Sequence, residues 1–199
     1  METSTTHRRQ LVTLAALGAL AGTLIGPLPQ GQAAPPIKGM IGVGTWATQA
    51  EFKDIKVIKG GRTIFSSNFS QGMRGWKTMR GKWQVVNGAL RQTSNQEDAR
   101  AVAGNPSWTD YTLTLKARKL GGKEGFLVIF GSQASPRKTW WNLGGWVNKQ
   151  HAVEYPGAPW KPVPGKIATG RWYNIRVDVK GPNVKCYLDG KRIHDVTRK

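Results

Sequence analysis

Between Thr139 and His151 the chain reads TWWNLGGWVNKQH, and most of its candidate chemistry gathers there. A sugar ring has an apolar C–H face and a rim of hydroxyls. Proteins hold such rings with an apolar or aromatic wall and a few well-placed polar groups. Trp140, Trp141 and Trp146 supply indoles; Asn142, Asn148, Gln150 and His151 supply donors and acceptors. Gly144-Gly145 would let backbone come close to a ligand. Side chains alternate along an extended segment. Trp140 and Asn142 are therefore expected to face a ligand, with Trp141 and Leu143 in the core. Glu154 lies three residues beyond His151, and Trp160 sits in YPGAPWKPVPG, a loop with too many prolines for a central strand. Trp160 is expected to lean over the site as a lid or platform. Arg91 and Arg100 are added as charged contacts on the same face. Packing between sheets would account for Trp140 and Trp146 equally well, and the sequence leaves that choice open. Trp83, Trp108 and Trp172 lie near strand edges and are read as core.

Cleavage of a glycosidic bond generally uses two carboxyl groups across the sugar. No E-x-D-x-x-E pattern occurs. Glu97-Asp98 are adjacent, and Glu51 and Asp54 are three apart, so each pair would split between the two faces of a regular strand. Glu124 and Glu154, each close to the aromatic stretch, remain as the alternative catalytic pair, with His151 as acid/base partner. The competing explanation puts Glu124 in the turn LGGKEG and lets Glu154 orient a neighbour. His151 and His194 have no second ligand at zinc spacing, and no Asp-rich calcium loop is present. No metal or cofactor is expected; a structural calcium held by backbone carbonyls would leave no trace in a sequence. G-x-S-x-G is absent. Cys186, in VKCYLD, alternates with Val184 and Leu188 and reads as a buried thiol.

Positioning these groups falls to strands. YTLTLKA sets Tyr111, Leu113, Leu115 and Ala117 on one face, and WYNIRVDVK sets Tyr173, Ile175, Val177 and Val179 against Asn174, Arg176, Asp178 and Lys180. A period of two marks strands with one dry side. GFLVIF is apolar throughout and suits a central strand. Asn87-Gly88 and Asp189-Gly190 are hairpin turns, since both pairs tolerate positive φ. No sustained helical pattern appears. The expectation is an all-β antiparallel sandwich or jelly roll. IGVGTWATQAEFKDIKVIKGG contains a strand ahead of the hairpins, while the sequence ends at RIHDVTRK.

Composition bounds the setting. The chain has 199 residues, one domain's worth plus a leader. Residues 1–33 have the layout of a secretory signal peptide: His7-Arg8-Arg9, an apolar run, then small residues at Gly31 to Ala33. Arg8-Arg9 fits the twin-arginine form. Cleavage is expected after Ala33, residues 34–41 are read as a linker, and 42–199 as the domain. The protein is then exported, periplasmic or extracellular, with no transmembrane span after cleavage. The formal net charge is +19. Such a surface attracts polyanions, whether acidic glycan, anionic cell envelope or nucleic acid. The basic residues form no block in the sequence, so a solvated basic surface with no single partner is the competing reading and no specific nucleic acid is expected.

Taken together, SSNFSQGMRGWKTMRGKWQVVNGALRQT, SWTDYTLTLKARKLGGKEGFLVIF, TWWNLGGWVNKQH and PGKIATGRWYNIRVDVKGPNVKCYLDGKRIHDV resemble a concanavalin A-like (laminin G-like) jelly-roll module. More narrowly, they resemble the module embedded in bacterial family 51 α-L-arabinofuranosidases; a looser kinship is with 3-keto-disaccharide hydrolase domains. The resemblance spans roughly residues 42–196. In many members of the wider fold class a segment similar to GVGTWATQAEFKDIKV comes last and closes the sandwich; here it comes first. It is expected to pair inside this sandwich in permuted order, because the C-terminal end otherwise lacks a partner strand. The rival is the edge of an upstream domain. The family 51 catalytic barrel, which needs on the order of 250 residues, is not in this chain. The resemblance thus implies an exported carbohydrate-binding module with a polysaccharide or oligosaccharide partner, associated with arabinofuranoside-containing glycan. Two alternatives stand: a small glycoside or keto-disaccharide hydrolase, and an electrostatic binder of acidic polymers.

Overall fold

The computed structural model describes residues 34–133 and 139–199. The expected leader, residues 1–33 with its twin arginines and cleavage site, lies outside the described residues. In chain order the described elements are β1 (Met40–Thr45), β2 (Thr48–Lys59), β3 (Arg62–Ser67), β4 (Trp76–Met79), β5 (Trp83–Val86), β6 (Ala89–Gln92), β7 (Ala99–Ala103), β8 (Tyr111–Gly122), β9 (Phe126–Ser132), β10 (Trp140–Gly144), the single turn α1 (Gly145–Asn148), β11 (Gln150–Glu154), β12 (Val163–Pro164), β13 (Trp172–Lys180), β14 (Asn183–Leu188) and β15 (Lys191–Thr197).

Two antiparallel sheets stack into a sandwich. Sheet A runs β12-β11-β10-β9-β1-β7-β4, and sheet B runs β15-β14-β13-β8-β2-β6-β5, with β3 also on β2. Binary patterning accounts for the inner faces. Tyr111, Leu113, Leu115 and Ala117 of β8, and Tyr173, Ile175, Val177 and Val179 of β13, turn inward. They meet Val128 and Phe130 of β9, Trp141 and Leu143 of β10 and Val153 of β11. Cys186 is fully buried among them, and burial, with Asp178 and Asp195 adding to it, pushes its thiol well above the usual range. Burying a large apolar side chain contributes about 1.5–3 kcal/mol, so this core carries the fold. GFLVIF is central, as its composition predicts: β9 lies between β10 and β1. Both expected hairpins form, with φ of 49° and 71° at Asn87-Gly88 and 48° and 81° at Asp189-Gly190.

The N-terminal segment is part of this sandwich. β1 lies between β9 and β7, and β2 between β8 and β6. The chain crosses from one sheet to the other at Trp46-Ala47, where Ala47 takes φ 48°. The location differs from the expected one. The C-terminal strand β15 remains an edge of sheet B; the N-terminal pair fills the middle of both sheets instead. Nor do residues 34–41 behave as a free linker. Ile37 is buried and donates its N–H to the Gly181 carbonyl, and β1 already starts at Met40.

Three tryptophans read as core divide. Trp83 and Trp108 are partly buried and pack on the central cluster. Trp172 does not: it occupies an outward position of β13, with Lys53 and Arg118 over its ring at 4.5 and 4.6 Å. Its alternation partner Tyr173 took the inward position, and the two cations shield the indole that parity left outside.

Candidate saccharide-binding hollow

The outer face of sheet A carries a second, smaller apolar cluster of Val102, Leu127, Ile129 and Trp140, with Met40 and Trp46 against it. Sheet A is therefore covered on both sides in its middle. At one end of this cluster lies a hollow of ≈ 250 Å³ lined by Trp46, Glu124, Trp140, Asn142, Trp146 and Glu154. That is small beside the ~300–1,000 Å³ of typical ligand pockets and suits one ring, not a chain laid flat.

Strand register places the floor. Trp140 stands opposite Glu154 across β10 and β11, so the indole Nε1 donates to Glu154 Oε1 at 2.9 Å. Asn142 Nδ2 donates to the same oxygen at 3.1 Å. The other end of the amide, Asn142 Oδ1, is buried with no hydrogen-bond partner among the described residues. A buried acceptor left unmade costs about 1–3 kcal/mol, a local cost of the packing at the Asn142 wall of the hollow. Trp141 and Leu143 enter the core, as alternation requires. Trp140 faces the other way but is not bare. It is 1 % exposed, roofed by the Arg100 guanidinium at 4.7 Å. Arg100 lies across β1, where Gly42 and Gly44 bring no side chain, and is tied to Asp98 at 2.5 Å. Trp140 is thus a wall of the hollow, not an open stacking platform.

The rim is a strained turn. Trp146 and Val147 take φ, ψ of 52°, 59° and 61°, 43°, and Asn148 takes φ 59°. Left-handed backbone costs an L-residue about 1–2 kcal/mol, and three in succession need external support. Glu124 Oε1 accepts the Val147 N–H at 3.4 Å. Asn148 brackets Ile167, donating to its carbonyl at 3.0 Å and accepting its N–H at 2.8 Å. His151 Nδ1 accepts the Gly144 N–H at 2.9 Å. The two glycines serve this packing. A Cβ on Gly144 would stand 2.4 Å from Asn148 Oδ1, and one on Gly145 2.6 Å from Asn142 Nδ2. They make room for amides, which differs from the expected close approach of backbone to ligand. The turn lifts Trp146 to 37 % exposure beside Trp160 at 55 %, their rings edge-to-face at 5.0 Å. These are the accessible indoles of the region; Trp160 stands against the Trp146 ring, outside the hollow's lining.

Charge divides the remaining residues. Glu124 is held above the ordinary carboxylate range, chiefly by burial and further by Glu154 and Glu97, against the lowering from the backbone N–H groups of Val147 and Trp146. Glu124 and Glu154 therefore share one hollow. His151 does not join them. It lies on the inner side of β11, edge-on to Trp141 at 6.5 Å, and Gly165 would touch its ring with any Cβ. Burial, then the neighbouring His194, lowers it to about 4. The expected triad of Glu124, Glu154 and His151 is thus split, because one-residue alternation sends His151 and Glu154 to opposite faces. Asn148 is spent on Ile167. Gln150 is half-buried on β11, outside the hollow's lining. Arg91 departs furthest from expectation. It sits on the outer face of sheet B, ion-paired with Glu51. Trp46 was missed; it enters through the β1–β2 crossover, which only sheet pairing reveals. Among the described residues no group of three or more His, Cys, Asp or Glu lies close enough to hold a metal ion, and no helix is long and apolar enough to cross a membrane.

Residues 64–199, from β3 to the end of the chain, match the model of the 3-keto-alpha-glucoside-1,2-lyase-like domain. The chain belongs to this domain family. A curated relative, an "Extracellular exo-alpha-L-arabinofuranosidase" of Streptomyces chartreusis, is 45 % identical over 163 residues. The match takes in 78 % of this chain and 20 % of the relative, so the chain spans about a fifth of that enzyme's length. No solved structure matches significantly. This lyase-like domain, then, is a lectin/glucanase-type β-sandwich in which the hollow lies on the outer side of one sheet.

Proposed function

We propose that this domain is an exported carbohydrate-binding module whose hollow takes a single neutral sugar of an arabinofuranoside-containing polysaccharide. The observation that carries the reading is the set of groups the hollow brings together: two carboxyl groups and the Asn142 side chain beside three indoles, of which Trp146 is exposed. In this reading the carboxyl groups of Glu124 and Glu154 meet sugar hydroxyls, while the exposed part of Trp146 lies against ring C–H groups. Two carboxylates in one hollow disfavour an anionic sugar. The likeness to an extracellular arabinofuranosidase supports both the substrate class and export.

The test is calorimetric titration of the mature protein with arabinan-derived oligosaccharides, beside Trp146→Ala and Glu154→Gln. Binding is expected for the wild type and a loss of about ten-fold or more in each variant, a size usual for a stacked ring or a charge-assisted hydrogen bond. Unchanged affinity in Trp146→Ala, in a protein that still folds, would remove the reading.

A second reading has its own support: Glu124 and Glu154 line the same hollow, and Glu124 is the more easily protonated than an ordinary carboxyl. In that reading Glu124 is the proton donor and Glu154 the carboxylate partner in cleavage of a glycoside or keto-disaccharide. Turnover of an aryl arabinofuranoside or a 3-keto-disaccharide that vanishes in Glu124→Gln would favour it over binding alone.

A further inference from the structure

The outer face of sheet B lies on the opposite side of the sandwich from the hollow, and strand register organises its charges into rows. Lys56 faces Thr114, Thr114 faces Arg176, and Arg176 faces Tyr187. One step along the strands, Lys53 faces Lys116 and Lys116 faces Asn174. Neighbouring strands are about 4.8 Å apart, so cations recur across the sheet with Thr and Asn groups between them. A bulge in β2 between Lys53 and Lys56, with Asp54 at φ 55°, opens the surface. There a groove of ≈ 460 Å³ is lined by Asp54, Lys56, Thr114, Lys116, Asn174, Arg176 and Tyr187, together with Leu115, Ile175 and Gly190.

Its ion pairs are few and loose. Lys116 meets Asp54 at 3.4 Å and Arg176 meets Asp178 at 3.3 Å, all four side chains substantially exposed. Exposed pairs of this kind contribute little and exchange readily for a ligand anion. Lys56 has no ion-pair partner among the described residues. Glu51, the most buried acid on this face, is already engaged by Arg91 and Arg118.

We propose that this groove is a second binding site, for an acidic polysaccharide: a uronate chain whose carboxylates meet Lys56, Lys116 and Arg176 while Thr114 and Asn174 meet its hydroxyls. A uronate chain repeats one carboxylate per ring with hydroxyls between, the same alternation the rows present. Single-stranded nucleic acid fits less well. It binds by stacking bases on open aromatic faces, and the rings here are covered: Arg176 lies 3.8 Å over Tyr187, and Trp172 is flanked by Lys53 and Arg118. The site shares no residue with the hollow and does not depend on its reading.

The test titrates the protein with polygalacturonate, with its methyl-esterified form and with single-stranded DNA, at low and moderate salt. Polygalacturonate is expected to bind, more weakly as salt rises, and the esterified polymer not to bind. The combined change Lys56→Gln, Lys116→Gln and Arg176→Gln should weaken polygalacturonate about ten-fold or more and flatten its salt dependence, because fewer counterions are released. Trp146→Ala should leave it unchanged, which separates this site from the hollow. Should the triple variant fold poorly, Lys56→Glu alone carries the test, since that side chain holds no ion-pair partner among the described residues. Equal affinity of the wild type and a folded variant, or equal binding of the esterified polymer, overturns the proposal. So does DNA that binds more tightly than polygalacturonate and loses its affinity in the same variant; the face would then be a nucleic-acid surface.

Discussion

His151 gives the sharpest link between acidity and the hollow. It is 4 % exposed, and its Nδ1 accepts the N–H of Gly144 at 2.9 Å, which requires a neutral ring with its proton on Nε2. Protonation would put an N–H against an N–H at the base of the turn that carries Trp146. Burial lowers this histidine from its usual 6.5 to about 4. A depressed folded value means that the unfolded chain binds the proton first. Stability is then intact above pH 6.5 and is lost as pH falls toward 4. The gap of 2.5 units between 6.5 and about 4, at ~1.4 kcal/mol per unit, amounts to about 3 kcal/mol. Urea denaturation should therefore show wild-type stability falling by about 2–3 kcal/mol between pH 7 and pH 4.5 from this residue alone. His151→Gln keeps an acceptor for Gly144 and does not titrate. It should be less stable at pH 7, through imperfect packing, but its loss on acidification should be smaller than the wild type's by that amount. Trp146 fluorescence should report the turn loosening over the same interval. If the variant and the wild type lose the same stability between pH 7 and pH 4.5, the assignment of His151 as a neutral strut is wrong.

Other outcomes follow from the same packing. Gly145→Ala would drive a Cβ into the Asn142 amide, 2.6 Å away; a loss of about 1–3 kcal/mol and of sugar affinity is expected, read by thermal melting and titration. Glu51 is 2 % exposed. Burial alone would raise its carboxyl, but Arg118 and Arg91 together hold it below the usual range. Its contribution is present above the ordinary carboxylate value and fades as pH falls through the lowered one. Because both arginines are about a third exposed, Glu51→Gln should cost only about 1–2 kcal/mol at pH 7, measured by urea denaturation, and nearly nothing in strong acid. Arg100→Ala should uncover Trp140, seen as a red-shifted emission and added quenching by acrylamide.

The sandwich was legible because alternation is a local signal. A period of two at Tyr111 to Ala117 and at Tyr173 to Val179 fixes which side chains turn inward, wherever the strand ends up. Asn87-Gly88 and Asp189-Gly190 announce hairpins for an equally local reason, the positive φ that a tight turn demands. The same parity argument sent Trp141 and Leu143 inward and Trp140 and Asn142 outward. Its limit appears at Trp172, where two aromatic residues in succession compete for one inward position.

Which strands become neighbours is a different matter, and there the tertiary structure decided. Placing β1 and β2 in the middle of both sheets brought Trp46 to the hollow and laid Arg100 over Trp140; neither contact has a local sequence signature. The left-handed turn at Trp146 to Asn148 depends on Glu124, some twenty residues earlier, and on Ile167, some twenty later. The basic residues look scattered along the chain, yet register sets Lys56, Lys116 and Arg176 around one groove on sheet B. Side-chain direction is set within a residue's own strand, so the sequence determined it. Proximity is set by pairing between distant segments, whose free energy belongs to the whole sandwich and to no single stretch of it.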